Sequence, residues 1–237
     1  MPRKLKNTPL IVYTIGHSTR ELPALLDLLR EHGIQQLVDI RTIPRSRHNP
    51  QYNLESMAAD LPAAGLRYVH LEGLGGLRHA RRDSPNTAWR NASFRGFADY
   101  MQRPEFAKAL TRLVALAAVR PTAIMCAEAV PWRCHRSLVS DALLVRGTRV
   151  EHIISGRNTQ EHSLTPFARV EGESVTYPGI PPGIKNDDGA RHEASSLSGQ
   201  ARKPQLRRKS RVKSAGGLKR GAPADTRTQK VPGRIQG

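Results

Sequence analysis

Two cysteines, two tryptophans and four phenylalanines are all that the 237 residues contain of these types. So few cysteines exclude a disulfide framework, and the fold must rest on an ordinary hydrophobic core. Acidic residues are also scarce: 20 Asp and Glu stand against 38 Lys and Arg, a formal net charge of +18. No apolar run approaches the roughly 18 residues of a membrane span. The basic start Met-Pro-Arg-Lys-Leu-Lys leads directly into a predicted strand, not into a signal-peptide apolar region. A cytoplasmic protein with reduced thiols and no membrane partner is therefore expected. No Gly-x-Gly-x-x-Gly occurs, which removes the dinucleotide fingerprint, and no internal repeat is present.

What is abundant is positive charge, and it is unevenly placed. Residues 183–237 hold 14 Lys and Arg against 4 Asp and Glu, whereas residues 1–182 hold 24 against 16. The C-terminal stretch has no periodic apolar pattern and is rich in Gly, Ser, Pro, Lys and Arg. Such a segment cannot offset its ordering entropy by burial, so a disordered basic tail over 183–237 is expected beside a folded domain over 1–182. The run Arg207-Arg208-Lys209-Ser-Arg211-Val-Lys213 suits a non-specific nucleic-acid anchor, and equally a solvated appendage that maintains solubility. It carries no aromatic residue, which excludes base stacking from the tail.

Within the domain, short apolar runs alternate with segments of helical period. Leu10–Ile15, Leu37–Ile40, Arg67–Leu71, Thr122–Met125 and Val150–Ile154 read as strands. Leu22, Leu25, Leu26 and Leu29 mark one helix face, and Ser18-Thr-Arg-Glu21 has the capping-box spacing that would start that helix at Ser18 or Thr19. Further helices are predicted from Leu54, over Phe94–Met101 and Glu105–Ala118, and over Arg136–Arg146. The expected fold is a three-layer α/β/α domain with a mainly parallel, Rossmann-like sheet of about five strands.

Parallel strands present their C-terminal ends at one edge, where α/β folds collect ligands. The residues there are Gly16-His17-Ser18, then Asp39 and Arg41, then His70 and Glu72, then Cys126 and Glu128. A purely structural strand end has no need of such groups. Each has a bland role, Ser18 as a helix cap and Cys126 as a small hydrophobe, but their convergence predicts a polar pocket. Gly16 would let the chain turn tightly so that helix N–H groups face a ligand. Arg41, Arg45, Ser46 and Arg47 beside Pro44 form a basic loop suited to bidentate phosphate contacts, with Arg136 as a further cation. Asn86, Trp89, Arg90, Asn91, Ser93, Phe94 and Arg95 form a cluster that would either stack on a base or pack as a lid.

The densest chemistry lies in Cys126-Ala-Glu128-Ala-Val-Pro131-Trp132-Arg133-Cys134-His135-Arg136. This segment, with Thr14-Ile-Gly16-His17-Ser18-Thr19, Asp39-Ile-Arg41-Thr-Ile-Pro44-Arg45-Ser46-Arg47 and Tyr68-Val-His70-Leu-Glu72-Gly-Leu-Gly75-Gly76, resembles the uncharacterised bacterial and archaeal family known as domain of unknown function 488. The resemblance spans about residues 10–155. It implies a shared fold and site but names no reaction and no cofactor.

Three readings follow from the residues. In the first the chain is an enzyme acting on a phosphate-bearing substrate, a nucleotide or nucleic acid. Arginines would hold phosphate, Glu128 or Asp39 would be base, His17 or His135 its partner, and Cys134 or Cys126 a nucleophile. A phosphatase-type Cys-x5-Arg loop is not present. In the second the chain binds nucleic acid without turnover, through the sheet edge and the tail. In the third Cys126, Cys134, His135 and His17 hold a metal, although two cysteines eight apart with an adjacent histidine match no recognised spacing. Glu128 separates the first two, because a carboxylate in a cationic pocket repels phosphate while a general base must be there, unless Arg133 or Arg136 neutralises it in a structural ion pair.

Overall fold

A computed structural model describes residues 9–179, which lie within one compact unit of the chain. The basic tail, and the domain boundary expected at residue 182, fall outside the described residues. Strand β1 is Ile11–Gly16, followed by helix α1 (Leu22–Glu31), β2 (Gln36–Asp39), α2 (Leu54–Ala63) and β3 (Arg67–His70). Then come α3 (Ala92–Tyr100), α4 (Pro104–Val119), β4 (Thr122–Cys126), α5 (Arg136–Val145) and β5 (Arg149–Ser155). Three short strands close the described chain: β6 (Asn158–Glu161), β7 (Arg169–Glu171) and β8 (Ser174–Thr176). No helix among the described residues is long and apolar enough to cross a membrane.

The main sheet has the order β3-β2-β4-β1-β5-β6, with the first five strands parallel and β6 antiparallel to β5. The expected sheet is therefore right in class and one strand short. Side chains alternate between the two faces with the period of a strand. Val12, Val38, Ile124 and Cys126 pack against α3, α4 and α5, while Ile15, Leu37, Ala123 and Met125 pack against α1 and α2. Both faces are thus covered, which is why these strands are nearly continuous apolar runs.

This order places the chemistry. The crossover from β1 to β2 runs one way along the sheet and carries α1, whereas that from β4 to β5 runs the other way and carries α5. Right-handed crossovers of opposite direction lie on opposite faces. Because β4 sits between β1 and β2, its C-terminal end is flanked on both sides by strands whose chains depart to the other face. That is the topological switch point of an open α/β sheet, and a crevice must form there.

The start of α1 corrects one expectation. The helix begins at Leu22, after an extended Glu21 that makes no side-chain cap, and Ser18 adopts a left-handed φ of 51°. The reason is that the His17 and Ser18 N–H groups extend the sheet, donating to the carbonyls of Cys126 and Ala127 at 3.0 and 2.9 Å. The chain is still tied to β4 where the capping box would have begun a helix. No helix N-terminus formed by Ser18 therefore faces the crevice.

Candidate functional site

The loop after β4 forms the centre of the site. Gly16 makes room for it, since a Cβ there would collide with the Glu128 carbonyl oxygen. Arg136 holds the loop from the other side. It is 1% exposed, and its Nη2 donates to the carbonyls of Glu128 (2.5 Å) and Ala129 (3.4 Å). A guanidinium so buried and so engaged is a structural brace, not the phosphate-holding cation expected from sequence.

Two hollows meet at this loop. The first, of about 320 Å³, has Cys126, Cys134 and His135 among its lining, with Ile43, Leu77 and Phe94 as apolar walls and Arg41, Arg133 and Glu128 as charged groups. The second, of about 410 Å³, is lined mostly by polar residue types, among them His17, Ser18, Thr19, Arg45, Ser46 and Asn49. Arg41, Ile43, Ala127 and Glu128 border both. Arg47 lies outside the pair, in a separate groove with Arg45, Ser46 and Pro50.

In the first hollow both thiols are buried and lie near one imidazole. Nδ1 of His135 is 3.9 Å from Cys126 Sγ and 3.7 Å from Cys134 Sγ. His135 Nε2 donates to the Ile40 carbonyl at 3.1 Å, which leaves Nδ1 facing the two sulfurs. Cys134 Sγ accepts from the backbone N–H of Arg136 at 3.5 Å and from its Nε at 3.4 Å. Burial pushes the Cys134 thiol up, but the Cys126 S–H, His135 and Arg136 outweigh it and draw it well below the ordinary range. Cys126 is raised well above it, first by donating to Cys134 and then by burial.

Arg41 sets the boundary between the hollows. Its guanidinium is buried against Asp39, with Nη2 to Oδ2 at 2.5 Å and Nε to Oδ1 at 2.9 Å. Tyr68 donates to the same carboxylate at 2.8 Å, and Arg41 Nη2 also reaches the Tyr52 carbonyl. Asp39 is fully buried with both oxygens occupied, so it positions Arg41 and is not the general base weighed from sequence. His17 is likewise committed. Its Nδ1 donates to the Ser18 carbonyl at 2.8 Å, its Nε2 receives Arg41 Nη1 at 3.3 Å, and its ring stacks on Tyr52 at 4.0 Å. Burial pulls the His17 pKa down to about 4, against the Ser18 bond that raises it, and Arg41 lowers it further.

A pH dependence follows. His152 is also held near 4, first by burial and then by His162 and Arg136. An unfolded imidazole ionises at about 6.5. Between pH 6.5 and 4 the unfolded chain therefore binds more protons than the folded one, and acid favours unfolding. Stability is fully present above pH 6.5 and should fall as pH drops toward 4, with a slope of at most about 1.4 kcal/mol per pH unit for each histidine. Urea midpoints measured across this range check it, and a flat profile would show that neither imidazole is held neutral.

The remaining sequence candidates lie elsewhere. His70 donates to the Arg41 carbonyl at 2.8 Å and supports the loop without lining either hollow. Glu72 is exposed in a short 3-10 turn outside both. Asn86 is fully buried, bonded to Asp99 and to the Tyr177 N–H. Trp89 packs among Phe94, Phe167 and Tyr177, and Arg95 ties down the Trp89 carbonyl. This cluster is the packed alternative, not an exposed stacking surface. Asn91 beside it is the N-cap of α3, accepting from the Ser93 N–H.

Sequence reasoning did not single out Thr42, Ile43 or Leu77 as lining residues, whereas Ser93 and Phe94, which also line the first hollow, belong to the cluster read from sequence. The available signal was two large apolar residues in otherwise polar loops, Ile43 (63% exposed) and Leu77 (69% exposed). A search of curated proteins and a search of solved structures each found no match to this chain. The model of the family described as domain of unknown function DUF488 matches residues 21–143, a stretch that contains Asp39, Arg41 and the whole of Cys126–Arg136, and the chain belongs to that family.

Proposed function

We propose that this protein is an enzyme acting on a phosphate-bearing substrate, a nucleotide or a nucleic-acid end. The observation that carries the reading is the division of the crevice into two unlike hollows that share Glu128. A planar, largely apolar group fits between Ile43, Leu77 and Phe94, above the Cys126–Cys134–His135 floor. An anionic group fits beside Arg45 and Ser46 in the second hollow, where Arg45 is exposed and free to turn toward it. Glu128 is exposed at their junction and makes no ion pair among the described residues, so its carboxylate is placed to accept a proton.

A non-catalytic anion binder gains nothing from a carboxylate at that junction, which favours turnover over binding alone. The excess of Lys and Arg outside the crevice supports a polyanionic substrate through counterion release. The test titrates the full-length protein with a panel of mononucleotides, with inorganic phosphate as competitor. Arg45→Ala should weaken binding about tenfold or more, the usual worth of a charge-assisted hydrogen bond. Glu128→Gln should retain binding and lose conversion. Unaltered affinity in the Arg45 variant would remove the phosphate assignment, and equal conversion by the Glu128 variant would remove the catalytic one.

A further inference from the structure

We propose that Cys126, Cys134 and His135 form a zinc site of the Cys2His type, with its fourth coordination position facing the crevice. The donor atoms are one per residue and all lie within 4.8 Å of one another. With Zn–S near 2.3 Å and Zn–N near 2.0 Å, tetrahedral angles place two sulfurs about 3.8 Å apart and sulfur about 3.5 Å from nitrogen. The observed Nδ1 to Sγ distances of 3.7 and 3.9 Å need only a slight contraction to meet this. Two thiolates and an imidazole are the donor set that selects zinc over the hard cations.

The surroundings point the same way. His135 donates Nε2–H to a backbone carbonyl, the outer contact that fixes a ligating imidazole with its other nitrogen free for metal. Two N–H donors, the Arg136 backbone and Arg136 Nε, are aimed at the Cys134 sulfur. Two donors on one sulfur, one of them from a guanidinium, match an anionic sulfur better than a neutral thiol. Gly76 keeps the approach to Nδ1 clear, because a Cβ there would collide with that nitrogen. A single nucleophilic cysteine needs one base and no second thiol. The arrangement supplies more than that chemistry uses and what a metal requires.

The site also gives the crevice a reaction class, a step that rests on the function proposed above. A water on the fourth position would lose a proton to Glu128, which lines the same hollow. The hydroxide oxygen would form the new bond to the substrate's electrophilic atom as the bond to the leaving group breaks. Glu128 would then return the proton to that leaving group, so that the sum is hydrolysis by one water.

The test uses cobalt(II) as the probe and no substrate. Full-length protein, reduced, stripped with a chelator and then freed of it, is titrated with cobalt(II) and afterwards with zinc(II). One cobalt per chain is expected, with sulfur-to-cobalt charge transfer and the strong visible bands of a tetrahedral site, both lost when zinc is added. Cys126→Ser and Cys134→Ser should each abolish the charge-transfer spectrum of the wild type. Because either variant can fail to fold, thiol alkylation of the wild type is followed in parallel, and saturating zinc should slow it at least tenfold. No charge transfer in the wild type, or thiols alkylated equally fast with and without zinc, would overturn the site. The nucleotide titration of the Arg45 variant stands apart: metal without nucleotide binding removes the function, and nucleotide binding without metal removes the zinc site.

Discussion

Asp39→Asn should lower the folding stability of this chain by about 3–5 kcal/mol, the cost of leaving one member of a buried ion pair without its partner. The carboxylate is fully buried and meets four donors on two residues: the backbone N–H, Nε and Nη2 of Arg41, and the hydroxyl of Tyr68. Asparagine keeps the shape, but it removes the counter-charge and turns an N–H2 toward Arg41, whose groups can only donate. Arg41 is 7% exposed and cannot swing out to water without dragging the Arg41–Asn53 loop with it. The unfolding midpoint in urea at neutral pH reads this directly. A double replacement of Asp39 and Arg41 by leucine should recover much of the loss, since the pair's own attraction is largely cancelled by its desolvation. A loss below about 1 kcal/mol in Asp39→Asn would show that the pair is solvated in solution, and that Arg41 is free to reach a ligand.

How much of this was legible in the sequence depends on what each residue answers to. Strands β1, β2 and β4 could be read because both their faces are covered, which makes them continuous apolar runs that no surface element imitates. Once the strands were parallel, the meeting of His17, Arg41, Cys126 and Glu128 at one edge followed from topology alone. Strand β6 was invisible because Asn158–Glu161 is exposed throughout and carries no apolar alternation. The direction of long side chains was equally invisible. Arg136 and Arg45 are the same letter, yet one is a brace in the core and the other lines the crevice. The difference lies in which carbonyls stand nearby, and the chain does not reveal that before it folds. Ser18 shows a local rule overridden by a longer-range one: two ladder hydrogen bonds to β4 outweighed a capping pattern four residues long.

The convergence of the cysteines with His135 belongs to the same class of facts. Sequence spacing matched no known metal pattern because the donors come from two kinds of place. Cys126 closes a strand, while Cys134 and His135 stand before a helix, and a loop braced by Arg136 sets their separation. The brace is therefore part of the site's geometry even though it contacts only sulfur and backbone. Burying a charge there is tolerable because two carbonyls and a sulfur accept all that the guanidinium offers toward the loop.

The second large effect is expected far from the crevice. Asp141 is fully buried on α5, and its two oxygens accept four hydrogen bonds from the segment after β6: His162 Nε2 (2.9 Å), the Thr165 N–H (3.0 Å), Thr165 Oγ1 (2.7 Å) and Tyr177 Oη (2.8 Å). The chain of donors continues inward. With His162 Nε2 donating, its Nδ1 must accept from His152 Nε2 at 3.0 Å, and His152 Nδ1 must accept from the Thr14 hydroxyl at 2.7 Å. One carboxylate thus fixes two tautomers and ties strand β1 to the C-terminal segment. Asp141→Asn breaks that direction, because its amide can accept at one atom only. A loss of about 3–5 kcal/mol is expected, from hydrogen bonds to a charged acceptor worth about 1.5–3 kcal/mol each and partly regained by the amide oxygen. Release of the segment should also appear as faster amide exchange at Thr165 and Tyr177 than at β1 and β4. Unfolding that stays as stable as the wild type, with Thr165 still protected, would mean that packing of Tyr177 and Trp89 holds the segment without the carboxylate.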